Sequence, residues 1–228
     1  MKLLALDTSS LACSVAFSDG TQLVERHEEE EREHTRLLIP MIREVLADAG
    51  VEPADLDAIV LGNGPGSFIG VRIAASVAQG LAYGAGASII PVSSMLAVAG
   101  EAAAGSDACE IVVTQDAHMN EVYLGVYRSD DDGAVVPVID ERLHDQGPIA
   151  EISGRSGVRR VAAGHGWQRY PDLKAANQAH IDEFGDTVYP HAGYLLRAAD
   201  ERAAIAPEEV VPAYLRQKVA TKPGDRRP

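Results

Sequence analysis

The chain has 228 residues, of which 46% are hydrophobic and only 5% aromatic, so one large or two small cores must be built mainly from Ala, Val, Leu and Ile. A net charge of −14 argues against unaided binding to a polyanion. Cys13 and Cys109 lie far apart in apolar stretches, which provides neither a disulfide framework nor zinc spacing and suits a reducing cytoplasm.

Residues 3–7 (LLALD) read as a buried strand. Asp7 interrupts the apolar start after four residues, so no signal peptide is expected. A second strand follows at 12–18, the Asp19-Gly20 pair signals a hairpin, and a third strand covers 21–27. An acidic run at 28–33 leads into 34–49, where Leu37, Leu38, Met41, Ile42, Val45, Leu46 and Ala49 recur at helical spacing. Pro40 should kink this helix or sit near its start, and Gly50 should stop it. Strand 57–61, a glycine loop, helix 70–83, strand 88–91 and helix 94–104 complete the first half. Residues 73–100 carry no charge, but Gly84, Gly86, Ser88 and Pro91 divide them into pieces too short to span a membrane.

The opening pattern then recurs. Segments 3–20 and 111–133 each contain an apolar strand ending in Asp (Asp7, Asp116), a polar turn, a second strand and an Asp-Gly turn. A duplicated unit of this kind predicts paired α/β lobes with mixed sheets, divided as 1–105 and 106–228. Strands at 135–140 and 158–163 continue the second half. Residues 191–204 read as helix and 208–216 as an extended or short helical return. Residues 213–228 carry Arg216, Lys218, Lys222, Arg226 and Arg227 against Asp225, a basic tail read as a solvated end or as a contact for an acidic partner or nucleic acid.

The loop "LGNGPGSFIGVR" (61–72) raises the question of a phosphate site. A P-loop needs a Lys beside Ser or Thr after its last glycine, and residues 61–83 contain no lysine. Gly64 and Gly66 match half of a dinucleotide fingerprint, but Ile69 stands at its third position. The alternative is a tight turn that lets helix 70–83 approach the sheet. Along that helix Gly70, Ala74, Ala78 and Ala82 form a smooth stripe beside Ile73, Val77 and Leu81. With the apolar face of 34–49, this predicts either mutual burial or a surface for a partner's helices.

Other chemistry is poorly served. No two histidines are four apart, no G-x-S-x-G elbow exists, and Glu121 is a lone acid before a strand. Asp7 and Asp116 could flank an interdomain cleft and hold a metal-nucleotide, although no glycine follows either.

Several segments, in order along nearly the whole chain, resemble the TsaB (YeaZ) family. They are LALDTSSLACSVAF (4–17), REHTRLLIPMI (32–42), GNGPGSFIGVRIAASVAQGLA (62–82), QDAHMNEVY (115–123), GHGW (164–167) and AYLRQKVA (213–220). The G-P-G-S-F-x-G-x-R block is the most specific. The family commonly has Thr where this chain has Ile69, which removes a hydroxyl beside the turn and weakens a polar ligand there. The resemblance implies a duplicated actin-like, sugar-kinase and Hsp70-type (ribonuclease H-like) fold. It implies a non-catalytic subunit for N6-threonylcarbamoyladenosine in tRNA, pairing with TsaD, which makes the transfer, and joined by the ATPase TsaE.

On this reading the partner surface comprises His34, Leu37, Leu38, Met41, Ile42 and Val45 on one helix. On the other it comprises Arg72, Ile73, Ala74, Val77, Ala78 and Leu81, and the same surface would make a homodimer in the absence of TsaD. No cofactor or metal is expected on this chain alone. ATP and threonylcarbamoyl-adenylate belong to the complex, tRNA is met only within it, and no membrane is involved. A weak residual nucleotide site at Asp7, Gly64, Gly66 and Asp116 stays open. The alternative is a small-molecule kinase of the same fold, or a peptidase-like enzyme, acting by itself.

Overall fold

The computed structural model describes residues 1–216 except 31, 105, 106, 108, 131, 132, 155 and 156. Residues 217–228, most of the predicted basic tail, lie outside the described residues.

Five strands form the first sheet: β1 (Leu3–Asp7), β2 (Cys13–Ser18), β3 (Leu23–Glu28), β4 (Ala58–Gly62) and β5 (Ser88–Val92), in the order β3-β2-β1-β4-β5. The first three make an antiparallel meander; β4 runs parallel to β1, and β5 to β4. Parallel strands covered on both faces need continuous apolar sequence, and LLAL and AIVL supply it. Helices α1 (His34–Ala49) and α2 (Gly70–Ala85) cover the face bearing Leu4, Leu6, Val15, Phe17, Ile59 and Leu61. Gly50 ends α1 in the left-handed conformation, φ 68°, as its sequence position predicts, while Pro40 sits inside the helix and not at its start.

The second sheet repeats this plan. Its strands β6 (Glu110–Asp116), β7 (Val122–Ser129), β8 (Val135–His144), β9 (Arg160–Ala163) and β10 (Glu183–Phe184) lie in the order β8-β7-β6-β9-β10. Again a meander is followed by two parallel strands. The duplicated two-lobed α/β fold with mixed sheets is the one expected. Short helices α4 (Ala150–Ser153), α5 (Gly166–Arg169) and α6 (Pro171–Asn177) cover its outer face, where Trp167 and Leu173 pack beside Val112 and Leu124.

A boundary at 105 separates the two sheets but not the two cores. Helix α3 (Ser94–Ala103) precedes it, yet Met95, Val98 and Ala99 pack on Ile111, Val113 and Tyr127 of the second sheet. Helix α7 (Ala192–Ala198) follows it, yet Ala192 and Leu195 return to Ala5, Ala16 and Ala58 of the first. That face of the first sheet carries alanines, which leaves room for a close helix but needs one from elsewhere in the chain. The predicted helix 191–204 is correspondingly shorter, stopping at Ala198 before a separate turn at Glu201–Ala203. Among the described residues, no helix is long and apolar enough to cross a membrane.

Where α7 meets β3, the rings of His27 and His191 stack at 3.7 Å with an interplanar angle of 4°. Burial, and then the charge of His191, push the His27 pKa below its ordinary 6.5, with Glu29 and Glu25 opposing. The hydrogen bond to Glu25, and then the charge of Glu101, raise that of His191 against its burial. His27 thus contributes stability that is present above pH 6.5 and lost as pH falls through its lowered pKa. His191 contributes stability that is present below pH 6.5 and lost as pH rises through its raised pKa. His27→Phe keeps a ring on the stack and removes the first loss. Its melting temperature relative to the parent should therefore rise by a few degrees between pH 7 and pH 5, measured by circular dichroism. A pH-independent difference would refute this role for His27.

Candidate functional site

The glycine loop joins β4 to α2 through a cis Gly64–Pro65 peptide. An added Cβ would lie 2.0 Å from Asp7 Oδ2 at Gly62, 2.1 Å from Ser9 O at Gly66 and 1.9 Å from Thr8 O at Gly70. No side chain fits at such distances, so the loop lies flush on the turn that follows β1. Polar bonds seal the contact: Ser67 N–H donates to Ser9 O at 2.6 Å and Thr8 Oγ1 to Gly70 O at 2.7 Å. Gly64 N–H donates to Ser94 Oγ at 3.1 Å. Two of the amides that could cradle a phosphate in a nucleotide loop, those of Gly64 and Ser67, are thus spent on the chain's own oxygens.

Asp7 pins this junction. Its Oδ1 accepts from Ser9 N–H at 2.7 Å and Ser9 Oγ at 2.8 Å, and its Oδ2 from Ser94 Oγ at 2.5 Å. Burial pushes its carboxyl above the ordinary range, against the pull of Ser94 and Ser9. The expectation that Asp7 and Gly64 face an interdomain cleft is therefore corrected: Asp7 is buried beneath the loop and Gly64 is buried within it. Gly66 and Asp116 do reach the cleft.

The second lobe repeats the device. Added Cβ atoms at Gly164 and Gly166 would meet Thr114 O at 2.2 Å and Thr114 Oγ1 at 2.6 Å. Asp116 Oδ1 accepts from His118 N–H at 2.7 Å and Tyr170 OH at 2.6 Å. Burial and the neighbouring Asp116 push the Tyr170 phenol up to about 12. Beyond Asp116, three successive non-glycine residues adopt left-handed backbone: His118 at φ 58°, Met119 at 54° and Asn120 at 61°. Arg216 braces them, donating from Nη2 to Ala117 O at 3.0 Å and pairing with Glu121 Oε2 at 2.6 Å. Glu121 is thus a turn-bonding group and not a free acid.

Arg216 belongs to a strap that the sequence predicts as an extended or short helical return over 208–216. Ile205 bridges Ile89; Pro207 O accepts from Gln79 Nε2 at 2.8 Å; Ala213 N–H donates to Asn63 O at 3.0 Å; Arg72 Nε donates to Tyr214 OH at 3.0 Å. The strap crosses α2 and the glycine loop before reaching the second lobe. Gly66, Phe68 and Val71, the 116–119 turn with Tyr123, and Ala213, Tyr214 and Arg216 enclose a cleft of about 220 Å³. Among the described residues, no group of three His, Cys, Asp or Glu is arranged to hold a metal.

The predicted partner surface divides in two. Leu38, Met41, Ile42, Val45, Ala74 and Ala78 are buried in the chain's own core, and His34 is buried with Nε2 3.3 Å from Ala12 O. These seven are therefore corrected from surface to interior positions, because the alanine stripe and the α1 face cover the large side chains of the first sheet. Leu37, Ile73, Val77 and Leu81 stay half-buried and Arg72 exposed. The open ridge of α2 is instead Arg72, Ser76, Gly80 and Gly84, flanked by Ile69, which is 69% exposed, and Tyr83, which is 62% exposed. No atom lies within 4 Å of an added Cβ at Gly80 or Gly84. The same four-residue period, shifted by two positions, could have revealed this ridge.

A family model described as "TsaD: tRNA N6-adenosine threonylcarbamoyltransferase" matches residues 27–146. The Escherichia coli K12 "tRNA threonylcarbamoyladenosine biosynthesis protein TsaB" is 36% identical, over 97% of this chain and 97% of that protein. The Haemophilus influenzae protein of the same description is also 36% identical, over 97% of this chain and 96% of its own length. The solved structure described as "YeaZ from Pseudomonas aeruginosa" superposes with a TM-score of 0.81 at 32% identity, covering 94% of this chain and 99% of that one.

Proposed function

The chain belongs to the TsaB family, and on that premise we propose that it serves tRNA threonylcarbamoyladenosine biosynthesis as a non-catalytic subunit pairing with TsaD, together with TsaE. The observation that carries the non-catalytic reading is the closed glycine loop, packed flush on the turn after β1, with the Gly64 and Ser67 amides and Asp7 committed to the chain's own groups. An independent kinase would need that space for phosphate, and a peptidase would need an activated nucleophile that the cleft does not offer.

The exposed α2 ridge supports pairing through helices: small residues at 76, 80 and 84 let another helix approach closely, and Ile69 and Tyr83 supply apolar flanks. The same ridge would pair two copies of this chain when TsaD is absent. With a net charge of −14, tRNA contact belongs to the assembly, as do ATP and threonylcarbamoyl-adenylate. The assembly is placed in the cytoplasm by this reading.

Reconstitution tests it. Adding this chain to TsaD, TsaE, ATP, tRNA and threonylcarbamoyl-adenylate should raise modification at least about tenfold, about 1.4 kcal/mol in effective barrier. The purified chain by itself should show neither ATP hydrolysis nor transfer. Equal modification without the chain would overturn the accessory role, and robust turnover by the chain alone would overturn the non-catalytic one.

A further inference from the structure

We propose that the interlobe cleft is a binding site for a small molecule carrying an uncharged, bicyclic aromatic ring. Its walls expose large apolar side chains: Phe68 is 47%, Tyr214 44% and Met119 65% accessible. Three such groups around one opening of about 220 Å³ mark a ligand site more than ordinary surface.

The walls are also held in place. The Arg72 guanidinium lies 3.4 Å from the Phe68 ring centroid while its Nε holds Tyr214 OH, so one side chain fixes both rings, whose centroids are 6.1 Å apart. Opposite them, Met119 projects from the left-handed run 118–120, which costs on the order of 1 kcal/mol per residue. Such backbone persists only where its surroundings enforce it, and here Arg216 does so through Ala117 O, His118 O and Glu121. A chain that keeps an exposed methionine on a strained, braced turn has preorganised an apolar wall.

The chemistry of the lining selects the ligand. Asp116 is engaged by His118 N–H and Tyr170 OH, and Arg216 by Glu121 and two carbonyls. The loop amides of Gly64 and Ser67 are committed as well. Among the described residues lining the cleft, Arg216 is the only Lys or Arg and is already engaged, and Asp116 would repel a phosphate or carboxylate. Size sets the ring system: an apolar cavity of roughly 150 Å³ takes up benzene, so this cleft suits two fused rings.

The test uses the full chain labelled at its methionine methyl groups. Three of its four methionines are internal controls: Met41 and Met95 are buried in the lobe cores and Met1 is exposed at the N-terminus, while Met119 lines the cleft and is the reporter. The Met119 signal is identified with Met119→Leu. Titrated indole should shift that signal with a dissociation constant on the order of 1 mM, leaving the other three in place. Tyr214→Ser, at an exposed position, should weaken binding about fivefold while unchanged Met41 and Met95 signals report an intact fold. Indole-3-acetate should bind no more tightly than indole. A Met119 signal that does not move at about 10 mM indole, an equal shift at Met1, unchanged affinity in Tyr214→Ser, or tighter binding of the anion would each overturn the proposal.

Discussion

Gly70→Ala is expected to destabilise the protein by at least about 3 kcal/mol, with little folded chain recovered, although alanine is the better helix former by about 1 kcal/mol. The new Cβ would lie 1.9 Å from Thr8 O and 3.0 Å from Thr8 C, both backbone atoms that no rotamer change can move. Relief requires α2 to lift from the turn after β1. That would break the Thr8 Oγ1 to Gly70 O bond at 2.7 Å and the Ser67 N–H to Ser9 O bond at 2.6 Å, and bare buried polar groups. Gly80→Ala on the same helix has the opposite sign. Nothing lies within 4 Å of its added Cβ, so it should gain about 0.5–1 kcal/mol. Denaturant unfolding midpoints of the two variants read this difference directly. Gly70→Ala melting like the parent would show that the glycine loop is not held by this contact.

Leu38→Glu should unfold the first lobe. Leu38 is 1% exposed beneath α1, and an unpaired carboxylate there costs more than about 4 kcal/mol or takes up a proton. Ser76→Glu lies on the exposed ridge of α2 and should change stability by no more than about 0.5 kcal/mol. It should nevertheless weaken pairing with TsaD at least about tenfold, since a charge would be buried against the partner's helix. Circular dichroism separates the two stability effects, and co-elution separates the pairing effects. Undiminished co-elution of Ser76→Glu would remove this ridge as the contact, whatever the outcome for the tRNA product. Read as partner-surface positions, Leu38 and Ala78 would accept Glu with loss of pairing but a folded monomer; read as core positions, they would not. The structure decides for the core, because Ala78 is also fully buried.

The contrast between Leu38 and Ser76 shows what periodic sequence conveys. Both α1 and α2 run at the predicted positions, and the stripe Gly70-Ala74-Ala78-Ala82 is real. A stripe records that one face is covered, not by what. Here Leu4, Leu6, Ile59 and Leu61 of the chain's own sheet cover it. The missing lysine of 61–83 argued against a phosphate loop, but the chain's own occupant of that space, the Thr8–Ser9 backbone, lies about sixty residues away in sequence. Similarly, nothing local in GHGW shows that Gly164 and Gly166 abut Thr114.

The sequence by itself determined the repeated meander, the two lobes, the helix boundaries at Gly50 and Gly70, and the poor match to nucleotide loops. Those features follow from turn chemistry and from periods of two and 3.6 residues, which act within a few positions. Only the tertiary structure decided that α3 and α7 pack across the lobe boundary, that Asp7 is sealed under the glycine loop, and that Phe68, Met119 and Tyr214 share one cleft. Each of these depends on segments distant in the chain, as Arg216 reaching Glu121 and Thr8 reaching Gly70 illustrate. Close packing and the pairing of buried polar groups are decided between such segments, and no local period encodes which one arrives.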